Sequence, residues 1–205
     1  GAYVRYEMWL RRLETRVNSL VGLSGSFFAI RRQVAERWDD AIPSDFACAL
    51  AARRLGLVSV ADPGVVGLYQ DIKDPSKEFP RKLRTAVRGM TALAARAEVL
   101  NPLRFGLFAF QVWSHKVMRW AVPWFLVAAL LANIALARHD QFEWLLALQI
   151  AGYAVVVLVH FFAVLRQNAL LRIGYFFIQA NVAVALAALQ VLRGRRIVTW
   201  DPSVR

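Results

Sequence analysis

SLVGLSGSFFAIRRQ (residues 19–33), followed after a short gap by AIPSDFACAL (41–50), carries a turn of small residues, an apolar run, a pair of arginines and then an acid. Gly22, Ser24, Gly25 and Ser26 make the turn, because glycine admits conformations and close approaches that a Cβ forbids. Phe27 to Arg32 reads as a strand running into a helix. Pro43 and Ser44 supply the start of a helix from about Asp45 to Leu55, which Gly56 ends. An acid in the first turn of a helix is favoured in its charged form by the helix dipole. Asp45 is therefore either a group placed to take a proton or a residue that only favours the helix start.

On the N-terminal side, Tyr6, Trp9, Leu10, Leu13 and Val17 recur at helical spacing with Arg5, Arg12 and Arg16 mostly opposite. This predicts an amphipathic helix that either covers a sheet or touches a membrane surface, with Glu7 and Glu14 paired to arginines three or four residues away. On the C-terminal side, 57–60 and 65–69 are β-branched runs around the turn Asp62-Pro63-Gly64, which predicts two strands. The first eighty residues are thus expected to form an α/β piece, closed by a polar loop over 71–80.

Beyond the loop, Leu83, Ala86, Val87, Met90, Leu93, Ala94 and Ala97 fall on one helical face, and Arg81, Lys82, Arg84, Arg88 and Arg96 on the other. Residues 105–120 mix Phe108, Phe110, Trp113 and Trp120 with His115, Lys116 and Arg119, the composition of a helix in the membrane interface, and 115–120 reads as an anchor there. The uncharged segments 120–137 and 144–165 are each expected to enter the membrane as an antiparallel hairpin, the second being long enough for about 30 Å of hydrocarbon. The apolar segment 173–192 follows. Lys116, Arg119, the loop bounded by Arg166 and Arg172, and the terminal arginines all call for the cytoplasmic side. Three crossings cannot satisfy that, so the third segment is interfacial or re-entrant, or else the tail lies outside. Gln149, His160, Gln179, Asn181 and Gln190 within these segments either join helices or line a channel.

Composition sets the bounds. Of 205 residues 58% are hydrophobic, and a mean hydropathy of +0.41 is too high for an ordinary soluble domain. The formal charge of +12, clustered beside apolar segments, favours anionic headgroups and a diphosphate over nucleic acid. The aromatic residues concentrate in membrane-like segments, where they are poor platforms for bases. Cys48 is the single cysteine, which excludes an internal disulfide and a cysteine zinc cluster, and it reads as a small buried hydrophobe. His139 lies in a loop, and His115 and His160 are far apart in sequence with no carboxylate at ligand spacing, so no metal site is expected within the chain. Gly1 in place of an initiator Met implies the C-terminal part of something longer.

Several boxes together resemble the membrane-embedded family 2 glycosyltransferases, which include the cellulose, chitin and hyaluronan synthases. They are the 22–26 turn with Ala29-Ile30-Arg31-Arg32, the acid box Ser44-Asp45-Phe46, Arg81-Lys82-Leu83-Arg84-Thr85 with Arg88-Gly89-Met90, and the tail from Thr199 to Arg205. The resemblance implies the acceptor-side part of a GT-A-like domain over 1–78 and interface helices over 79–119. It places a membrane region over 120–192, with a basic tail, a possible gating loop, over 193–205. The implied activity is inverting transfer from a nucleotide-sugar, expected to be a UDP-sugar, in making and exporting a cell-surface polysaccharide.

Asp45 matches the family's general base, with Ser44 standing where an acidic neighbour is usual. Arg84 matches the arginine of Q-x-x-R-W that meets the diphosphate, flanked by Arg81 and Arg88. The tryptophan that floors the acceptor sugar is here Thr85, so that role would pass to Trp113 or Trp120. Gly25 and Ser26 would lie against the acceptor, and Trp200 and Arg205 match the gating loop. Mg²⁺ or Mn²⁺ is expected through an upstream D-x-D. The implied partners are a glycan or lipid-linked acceptor and membrane lipid, in a bacterial inner membrane with the catalytic part cytoplasmic. Two other readings stand beside this one. The first is transfer of one sugar to a lipid carrier. The second, favoured by Ser44 and Thr85, is a non-catalytic membrane scaffold or transport subunit.

Overall fold

The computed structural model describes residues 2–25, 27–36, 42, 44–65, 78–195 and 197. Among them the chain is helical and no strand forms, which corrects the expected α/β, GT-A-like piece. The reason lies in where the extended segments find their partners. Leu20 N–H donates to Ser59 O at 2.8 Å, but Ser59 N–H turns to the Ser19 hydroxyl at 2.9 Å and Ala61 N–H to the Thr15 hydroxyl at 2.9 Å. Side chains thus take the place of a neighbouring strand's carbonyls, and no ladder propagates. The alternation within 57–60 is also inverted, with Ser59 buried and Val58 and Val60 exposed. Residues 27–31 are extended but unladdered, and most of the second expected strand, 66–69, lies outside the described residues.

The first helix, α1 (Ala2–Val17), turns its apolar stripe outward: Tyr6, Trp9 and Val17 are each more than half exposed. Its inner face is polar, built on Glu7, Arg11, Glu14 and Thr15. After the short α2 (Arg32–Ala35) comes α3 (Ser44–Arg54), close to the expected 45–55. One face of α3 puts Phe46 and Leu50 into the main core with Val21, Leu93, Val99, Phe108 and Val112. Its other face puts Cys48, Ala51 and Ala52 against Val34, with Leu23 and Phe28 packed around them. Small side chains let the chain lie close on that side, and Gly56, at φ 74°, turns it away at the end.

The cationic amphipathic helix α4 (Glu78–Ala94) forms as the spacing predicts. A short 3₁₀ turn and α5 (Pro102–Phe105), capped by the Asn101 side chain, lead into α6 (Leu107–Val112). From there a π-helical turn, Trp113–Val117, runs without a break into α7 (Met118–Leu136). The helix expected to lie in the interface is therefore continuous with the first membrane segment. α8 (Glu143–Phe161) pairs back on α7 and stops at Phe161, earlier than the expected 165. Then α9 (Ala169–Leu192) starts from the Asn168 cap.

Among the described residues three helices, 107–136, α8 and α9, are long and apolar enough to cross a membrane. The most extensive helix contact in the chain joins α9 to α4. Lys82 Nζ sits 5.1 Å over the Phe176 ring, and Ala86 and Val87 bury against Ala187, so the two helices run side by side in one direction.

Candidate functional site

The 22–25 turn and the start of α3 are tied by backbone. Leu23 N–H donates to Asp45 O at 3.3 Å, and a Cβ placed on Gly25 would lie 3.3 Å from Asp45 Oδ2. Only a residue without a side chain fits at that spacing comfortably. Asp45, half-buried, accepts the Phe46 N–H on Oδ1 at 2.9 Å, so Oδ1 is held at the helix start while Oδ2 faces the glycine turn. The same carboxylate, after burial itself, pushes the thiol of Cys48 up from its ordinary value. Gly25 and Asp45 are thus brought together; Ser26 lies outside the described residues, as do Trp200 and Arg205.

Asp45 faces cations from two other elements. On α4, Arg88 lies within its electrostatic reach; burial lowers Arg88 from its ordinary value, Asp45 opposes that, and neighbouring Arg84 adds to it. Arg81 is differently occupied: it donates to both oxygens of Glu78 at 2.8–3.0 Å, and the Thr85 hydroxyl donates to Arg81 O at 2.8 Å. Arg84 is tied to this group through Arg88, its neighbour one turn on. A Cβ on Gly89 would come within 3.1 Å of the Trp120 ring, so that ring lies on α4 one residue from Arg88. Trp113 instead donates its indole N–H to Leu100 O at 3.1 Å. Arg32, from the paired arginines, extends outward to Glu36 at 3.1 Å.

The third element is the π turn, a feature that often marks functional positions in long helices. It points Lys116 inward: Nζ lies 5.0 Å from the Phe46 ring centroid and 3.7 Å from where a Cβ on Gly22 would be. Asp45, Glu14, Glu7 and Arg119 all fall within electrostatic reach of that ammonium. Next to it, His115 Nδ1 bonds Glu14 Oε1 across 101 residues, while Glu14 Oε2 accepts the Val21 N–H at 3.3 Å. Arg119 reaches Glu7 at 3.4 Å. The expectation that Glu14 pairs locally with an arginine is corrected, since its partners are His115 and the Val21 N–H; Glu7 and Glu14 both reach from α1 to the helix that begins at Leu107. Within 115–120, the segment expected to act as an anchor, His115 turns to Glu14 and Lys116 to Phe46 and the Gly22 turn.

Sequence reasoning missed Glu14, His115 and Lys116. The available signals were the polar stripe at 7, 11, 14 and 15 and two adjacent titratable residues inside an apolar, aromatic helix, where polar groups are costly. Within the membrane hairpin, Asn133 Nδ2 donates to Gln149 Oε1 at 2.6 Å and Gln149 Nε2 to the Tyr153 hydroxyl at 2.9 Å.

Among the described residues no group of three His, Cys, Asp or Glu side chains converges, so they offer a divalent cation no donor set. Comparison with known protein families, with curated proteins and with solved structures finds no match.

Proposed function

We propose that the chain is the acceptor-side and membrane part of an inverting glycosyltransferase using a nucleotide-sugar donor, in the synthesis and export of a cell-surface polysaccharide. The observation that carries this reading is the meeting of the Gly22–Gly25 turn with the Asp45 carboxylate, within electrostatic reach of Arg88 on α4 and Lys116 on the π turn. Asp45 Oδ2 takes the proton of an acceptor hydroxyl as its oxygen attacks the anomeric carbon. The bond from that carbon to the diphosphate breaks, and guanidinium groups take up the charge on the leaving oxygens in paired hydrogen bonds. A base positioned this way contributes about 10²–10⁴-fold. Trp120, lying beside Arg88, is the better-placed aromatic for a sugar now that Thr85 bonds back to its own helix.

The membrane is a bacterial inner membrane in this reading, with the Asp45 face cytoplasmic. The α4–α9 pairing supports an interfacial α9: a helix laid along α4 carries Lys82, Arg84 and Arg88 to its own depth, and each charge costs about 2.5–3.5 kcal/mol at mid-bilayer.

The test is transfer of labelled sugar from UDP-sugars by membranes containing the full-length protein. Asp45→Asn is expected to cut transfer by at least about 10²-fold with the helices still inserted; undiminished turnover removes Asp45 from the mechanism. A polymer ladder supports export, whereas a single lipid-linked product supports one-sugar transfer to a carrier. No transfer from any donor leaves the scaffold reading.

A further inference from the structure

A cavity of about 340 Å³ lies between the start of α4, the end of α8 and the first half of α9. That is within the range of small-molecule sites. Phe79, Val157, Phe161 and Val182 give it apolar walls, and exposed Val157 and Phe161 leave it open on the side facing lipid. One end is polar. His160 Nδ1 lies 3.2 Å from the Tyr175 hydroxyl, and Gln179 Nε2 donates to the same hydroxyl at 3.5 Å. Gln179 Oε1 is buried with no hydrogen-bond partner among the described residues.

Two cations adjoin the lining without being part of it. Arg166 is held 4.9 Å over the Tyr175 ring by donating to the carbonyls of Val159 at 3.1 Å and His160 at 2.6 Å. Lys82 lies over Phe176 and 3.7 Å from Glu78. A slot that opens among membrane-facing side chains, with Arg166 over the ring of lining Tyr175, Lys82 one helix turn from lining Phe79 and an acceptor lacking a donor, matches a molecule with a hydrocarbon chain, a negative phosphate and a hydroxyl. A zwitterionic lipid would set its ammonium beside the same cations, and a flat helix from a second copy would leave the polar end unanswered.

We infer that this cavity binds one anionic glycerophospholipid of the phosphatidylglycerol type. An acyl chain lies against Val157, Phe161 and Val182, the phosphate meets Lys82 and Arg166, and a headgroup hydroxyl donates to Gln179. Cationic side chains beside an apolar helix face are the usual physical basis for such recognition. The site stands independently of the transferase reading, since neither Asp45 nor a donor sugar enters it.

Native mass spectrometry of the detergent-solubilised full-length protein tests it, with phosphatidylglycerol and phosphatidylcholine added at equal concentration. One phosphatidylglycerol per chain is expected to survive activation that strips phosphatidylcholine. Val182→Trp, which fills the slot, should lower retention at least tenfold, and Lys82→Gln should lower the preference for phosphatidylglycerol severalfold. Both are checked by thermal melting in lipid-free detergent, and should Val182→Trp melt early the outcome rests on Lys82→Gln. Equal retention of the two lipids, or a preference untouched by Lys82→Gln, overturns the inference. So does displacement of phosphatidylglycerol by an equimolar polyprenyl phosphate, or a dimer that Val182→Trp dissociates.

Discussion

The region around Asp45 and the hairpin of α7 and α8 use polar residues in opposite ways. In the hairpin, Asn133, Gln149 and Tyr153 form one short chain of hydrogen bonds while Trp124, Phe125, Leu131 and Leu148 face outward. Around Asp45, charged groups occupy the inside and α1 shows its aromatic residues to the surroundings. A hairpin in lipid has only itself to satisfy. Buried charges drawn from α1, α3, α4 and the π turn cost desolvation that packing alone would avoid, and such costs are usually retained where a ligand or a reaction uses them.

The contrast can be broken first at Glu14. Glu14→Ala removes the acceptor of both His115 and the buried Val21 N–H and is expected to cost about 3 kcal/mol in thermal melting in detergent. Glu7→Ala, at a more exposed pair, should cost under about 1 kcal/mol; equal losses would mean that burial does not distinguish the two clamps. Gly89→Val forces the Trp120 ring off α4, for about 1–3 kcal/mol, and tryptophan emission should move with it.

In the hairpin the effects shrink. Asn133→Leu should cost about 0.6 kcal/mol, as polar contacts between membrane helices typically do; a loss as large as that of Glu14→Ala would erase the difference between the regions. The smallest effect lies at the start of α4. The hydrogen bond from Arg81 lowers the Glu78 carboxyl from its ordinary value against the effect of burial, and the charges of Arg81 and Lys82 add to the lowering. A carboxyl lowered on folding stabilises above its unfolded value and loses that contribution as pH falls through the folded one. With Arg81 43% exposed, the effect is a few tenths of a kcal/mol. Melting curves of the parent and Glu78→Gln should therefore differ slightly at neutral pH and converge as the pH falls below the ordinary carboxylate range.

Helical periodicity made α4, α7, α8 and α9 legible in the sequence, because an apolar stripe at 3.6-residue spacing is a local property. The strands were illegible for the complementary reason. Val58 and Val60 have the right propensity, but a strand exists only when a neighbour supplies its ladder, and here Ser19 and Thr15 side chains do so instead. The outward apolar face of α1 inverted its periodicity, since a stripe says which residues share a side and not which side is inside. At the site, the Gly25–Asp45 approach was legible from the motif order. The contribution of Lys116 was not, because it depends on a π turn that shifts the register of a helix which otherwise reads as uniform.

The side-by-side run of α4 and α9 has a mechanical result. A row of guanidinium groups on one helix and the residues that follow Leu192 on the other are fastened to a single rigid pair. Because Ala86, Val87 and Ala187 share one buried seam, a substitution that opens it at any of the three loosens both helices at once.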